Sequence, residues 1–127
     1  MLRLSVKTKL EPLEALDKAN KYFEREGLAL IETIAHLHAK GGFAEIHVSG
    51  GKLVGTAEYD SKQVLSELTR KAVDQFGFES ASFSLHFHSS LGHVDVAVSN
   101  EKPAEVTFDS TEYDYQVREF ADKLPKP

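Results

Sequence analysis

SFSLHFHSSLGHVDVAVS, residues 82–99, alternates apolar and polar side chains on both sides of a Ser-Ser-Leu-Gly break. Alternation with period two belongs to a strand, which sends successive side chains to opposite faces of a sheet. Ala81, Phe83, Leu85 and Phe87 form one set, and Ser82, Ser84, His86 and His88 the other. Beyond the break, Val94, Val96 and Val98 continue the apolar set, while His93, Asp95 and Ala97 continue the polar one. A hairpin turning at 90–91 sets His88 opposite His93 and His86 opposite Asp95, with Cβ atoms about 5 Å apart. One face of this strand pair therefore belongs to a core, and the other gathers imidazoles beside a carboxylate.

The same pattern occurs fifty residues earlier. Shifting the chain by 50 pairs Gly27 with Gly77, His36 with His86, His38 with His88 and Gly42 with Gly92, then Val48, Ser49 and Lys52 with Val98, Ser99 and Lys102. Seven identities in 26 pairs exceed the one or two that average residue usage gives by chance. Glu45 also matches Asp95, and Ile46 matches Val96. An internal duplication is expected, with copies over about 2–51 and 52–101 and a terminal strand and helix over 104–124. In the first copy the same parity sends Ala44, Ile46 and Val48 inward. His36, His38, Phe43, Glu45 and His47 go outward, with His38 opposite Phe43 and His36 opposite Glu45.

Around these hairpins the periodicity predicts three helices. The first begins at Pro12, buries Leu13, Leu16, Ala19 and Phe23, and ends at Gly27. The second starts at Asp60–Ser61, buries Leu65, Leu68, Ala72 and Phe76, and ends at Gly77. The third spans about 110–124, with Tyr113, Val117, Phe120, Ala121 and Leu124 on one stripe before Pro125. Strands are expected near 2–9, 28–39, 43–49, 52–59, 80–89, 92–99 and 104–108. Gly41–Gly42, Gly50–Gly51 and Leu91–Gly92 mark tight turns. The order β-α-β-β-β-α-β-β-β-α defines an α+β fold, a two-layer α/β sandwich. Its sheet is mixed but mainly antiparallel, and crossover handedness puts the helices on one face.

The 127 residues suit a single domain, 1–127. Fifteen basic against 20 acidic side chains leave a net charge of −5, which argues against nucleic acid as a partner. No apolar run is long enough to suggest a membrane span, and "MLRLSVKTKL" lacks the apolar stretch of a signal peptide. A cytoplasmic protein is the simplest expectation. The chain has no cysteine, so disulfides and thiolate metal sites are ruled out. The glycine pairs fall in strand hairpins, which excludes a phosphate loop, and no nucleophile elbow surrounds Ser82, Ser84, Ser89 or Ser90.

Three readings of the polar face remain. It is a solvated surface and no more, a metal site, or an interface. His86, His88, His93 and Asp95 have the donor set for zinc or another divalent transition metal, and His36, His38, Glu45 and His47 form a poorer second set. The first copy also turns Leu28, Leu30, Ile34, Phe43 and Val54 to the helix-free side by simple alternation, and that much apolar surface needs a cover. A second copy of the chain is the simplest cover, with an unidentified protein or a small apolar ligand as alternatives. The leading expectation is a non-catalytic interaction or assembly protein, homodimeric through this face and without a cofactor. The alternative is a metal-binding protein or metal-dependent enzyme.

Through residue 77 the element order resembles the βαβββα arrangement of ribosome-hibernation factors, and the repeated strand–helix–strand–strand unit is similar to that of the archease group. Both resemblances concern topology, which does not carry function by itself.

Overall fold

A computed structural model describes residues 1–39, 42–49, 80–99 and 101–127. Within them the elements are β1 (Leu2–Thr8), α1 (Pro12–Arg25), β2 (Ala29–Ala39), β3 (Gly42–Ser49), β4 (Ser80–His88), β5 (His93–Val98), β6 (Ala104–Thr111) and α2 (Asp114–Lys123). The expected strand 52–59, the helix after Asp60 and Val54 lie outside the described residues.

The described strands form a six-stranded sheet in the order β1-β6-β5-β4-β2-β3. Every pairing is antiparallel, so the mixed character expected of the sheet is not found among the described residues. The reason is geometric. β1 and β2 flank α1 and run the same way, but β6, β5 and β4 stand between them, so no parallel pair forms. The architecture is α+β.

Alternation decides which face meets the helices. Phe83, Leu85 and Phe87 on β4 and Val94, Val96 and Val98 on β5 are buried, as the sequence pattern required. Val106 and Phe108 on β6 join them. From the helices come Leu16, Ala19 and Phe23 of α1, and Val117, Phe120 and Ala121 of α2. Phe23 meets Phe87 at 5.5 Å and Phe120 at 5.6 Å between ring centroids, and Phe120 meets Phe108 at 5.9 Å. These spacings suit tilted and edge-on aromatic packing. Both helices thus rest on one face of the sheet and share one core.

α1 begins at Pro12, whose missing N–H costs nothing in the first turn, and ends before Gly27 at φ +91°. α2 starts later than the stripe from 110 suggests. Ser110 and Thr111 stay in the ladder with β1 and β5, and the chain turns at Glu112 with φ 68°. The Ser110 hydroxyl then donates to Asp114 Oδ1 at 3.0 Å.

A further sequence expectation is overturned. The β2–β4 register shifts between Leu30 and Glu32, a bulge that inserts Ile31 and resets the alternation. Leu28 is 4% exposed in the core and Leu30, opposite Phe87, packs against it. Neither lies on the face turned away from α1 and α2, so Leu30 is removed from the expected interface. Ile31 is exposed, and Ile34 stays on the outer side, half-buried opposite Ser84.

Candidate functional site

The sheet face turned away from α1 and α2 is built from the polar positions of the described strands. Both hairpins have the expected register, with His38 opposite Phe43, His36 opposite Glu45, His88 opposite His93 and His86 opposite Asp95. The β2–β4 pairing adds what no local pattern revealed: His36 stands opposite Ser82, and Glu32 opposite His86. His36 and His86 thereby come to the two sides of Ser84.

Side-chain hydrogen bonds then run across four strands. His36 Nε2 lies 3.4 Å from Ser84 Oγ, and Ser84 Oγ lies 3.3 Å from His86 Nε2. His86 Nδ1 is 2.8 Å from Asp95 Oδ1. The second carboxylate oxygen sits 3.6 Å from His93 Nε2, within ion-pair range, and Thr111 Oγ1 meets His93 Nδ1 at 2.9 Å. Ser84 is only 7% exposed although it points away from the helices, because the two imidazoles cover it.

The carboxylate fixes the direction of these bonds. An ionised Asp95 only accepts, so His86 carries its proton on Nδ1 and donates it to Asp95. A neutral His86 then offers a lone pair at Nε2, which accepts the Ser84 O–H. Ser84 Oγ accepts in turn from His36 Nε2–H. Every group in this chain of bonds is satisfied, which is what keeps a partly buried polar cluster from costing stability.

Other expected site residues are placed differently. His47 is exposed and bonds to Glu32 through Nδ1, on the β3 side of the Ser84 cluster. His88 is exposed and faces the His93 ring at a centroid distance of 5.8 Å. His38, Phe43 and Glu45 hold the register positions given above. Among the described residues no group of three or more His, Asp or Glu side chains is arranged to hold a metal ion. His86 has both ring nitrogens engaged, so zinc binding through it requires releasing Asp95 or Ser84. In the sequence Ser84 is weighed and set aside because no nucleophile elbow surrounds it, and Thr111 and Glu32 are missed because their importance depends on which strands are neighbours. Their one local signal is polar parity.

Beside the cluster lies a groove of about 390 Å³ lined by His36, Ser82, Ala97, Ser99, Glu105 and Thr107. Ala97 stands directly opposite Ser84 and offers only a methyl group, which leaves the space open. At the β1 edge, Arg3 and Lys7 are exposed on the same face. No described helix is long and apolar enough to cross a membrane. Compared with known protein families, curated proteins and solved structures, the chain matches none.

Proposed function

We propose that this chain is a small interaction protein that pairs with a second copy of itself through the helix-free sheet face. The observation that carries the reading is the distribution of charge over that face. Cations Arg3 and Lys7 stand on β1, opposite Asp109 and Glu105 of β6, and Glu32 stands on β2 toward the other side of the described sheet. A two-fold axis through the middle of the sheet lays each edge over the other edge of the partner, so opposite charges meet twice. Six strands about 4.8 Å apart and about seven residues long give a face of roughly 550 Å² per protomer. Twice that area is near the lower limit of specific interfaces, so the dimer is weak and reversible.

The histidines give this contact a pH dependence. The chain carries six histidines, and cationic imidazoles on the face that meets Arg3 and Lys7 of the partner set cation against cation, which weakens the contact. Glu105 and Asp109, also on this face, offset part of the added charge. Sedimentation at neutral pH is expected to show concentration-dependent dimer that weakens with salt, with mild acid, and in the Arg3→Glu/Lys7→Glu double variant. A monomer at every concentration would contradict the reading.

Duplication belongs to the same proposal. Positions 36, 38, 43 and 45 occupy in the β2–β3 hairpin the places that 86, 88, 93 and 95 occupy in β4–β5. Equivalent positions fifty residues apart in equivalent registers support descent from one copied unit.

A further inference from the structure

We infer that Ser84 is an activated nucleophile, with His86 as its general base, and that the adjoining groove admits small neutral or cationic acyl esters. This goes beyond the self-association reading and does not rest on it. Three parts of the arrangement support it together. Ser84 Oγ lies 3.3 Å from His86 Nε2, and His86 Nδ1 lies 2.8 Å from Asp95 Oδ1. That is the connectivity of nucleophile, base and orienting carboxylate that recurs on unrelated folds and is recognised by roles and geometry. Next, Ala97, the register partner of Ser84, lines a groove with His36 and Glu105; Ser84 is 7% exposed and not part of that lining, so an acyl group reaches it past His36, and the Glu105 carboxylate disfavours anionic acyl groups. The third part is His36. β4 lies between β2 and β5, whose ladders occupy its backbone N–H groups, so any donor to a developing oxyanion must be a side chain. His36 Nε2, 3.4 Å from Ser84 Oγ, is that donor.

In the acylation step the Ser84 Oγ–C bond forms as the Ser84 proton passes to His86 Nε2. The carbonyl π pair moves to oxygen and accepts the His36 N–H. Collapse breaks the ester C–O bond, and the leaving alcohol takes the proton from His86. Water, deprotonated by His86, then cleaves the acyl-serine and regenerates the hydroxyl.

The test is to treat the whole chain with para-nitrophenyl acetate and, separately, with a fluorophosphonate, and to map adducts by peptide mass spectrometry. The inference expects one adduct on Ser84. It should be absent in Ser84→Ala, retained in Ser84→Cys and slowed about 100-fold in His86→Gln, a typical share for a general base. Asp95→Asn should slow the reaction at least about 10-fold, with partial recovery in Asp95→Glu, as a positioning carboxylate requires. Adducts confined to imidazole, lysine or tyrosine side chains or the N-terminal amine, or equal labelling of wild type and Ser84→Ala, would overturn it.

Discussion

Thr33 shows how finely single positions are set. Its side chain is fully buried under the helices, yet among the described residues its hydroxyl has no hydrogen-bond partner. An unsatisfied buried hydroxyl costs stability, whereas a methyl group of equal shape does not. Thr33→Val is therefore expected to stabilise the fold by about 1 kcal/mol, read as a higher urea midpoint with unchanged slope. Gly92 is constrained in the opposite sense. A Cβ there would come within 2.2 Å of the Thr111 carbonyl oxygen, so Gly92→Ala must push β5 from β6 and should cost about 1–3 kcal/mol. Tyr22 supplies a pH test. Burial, then the Glu119 and Glu26 carboxylates, push its phenol up to about 12. A raised acid contributes stability that is complete below the ordinary tyrosine value of about 10 and is lost as pH rises through the folded value. Alkaline titration followed by near-ultraviolet absorbance should show one of the tyrosines ionising late, with thermal stability falling over the same interval.

Among the elements, strand faces and hairpin registers were legible because they follow from alternation plus the placement of turns. The outer positions of β4 and β5, His86 with Asp95 and His88 with His93, needed only parity and the 90–91 break. Leu28 and Leu30 were not legible, because a bulge is one extra residue inside a continuous apolar stretch and leaves the composition unchanged. The late start of α2 was hidden for a related reason: Ser110 caps well in principle, but ladder bonds to Leu2 and Val94 hold it in β6. Neighbourhood was the third gap. Ser84 reads as an ordinary strand hydroxyl until β2 is known to lie beside β4. The bulge makes its own prediction. Deleting Ile31 leaves Leu30 inward and Glu32 outward, so the loss should stay within about 1 kcal/mol, as for surface changes. Deleting Ala35 instead turns every preceding β2 residue to the wrong face and should prevent cooperative unfolding altogether.

For the molecule as a whole, the two sides of the sheet do different work. The helix side holds the aromatic cluster of Phe23, Phe87, Phe108 and Phe120, and Phe120→Ala should cost about 3–5 kcal/mol while leaving the opposite face formed. On the opposite face Asp95 meets His86 and His93, and it is the acceptor that orients His86 and, through it, Ser84 and His36. Self-association covers the groove that acyl transfer needs open, so the two compete for this face and acyl transfer belongs to the monomer. Nitrogen NMR of the imidazole rings at neutral pH tests the connection directly. His86 should show Nδ1 protonated and Nε2 accepting, and Asp95→Asn should abolish that preference. A His86 protonated on Nε2, indifferent to the loss of Asp95, would contradict the account.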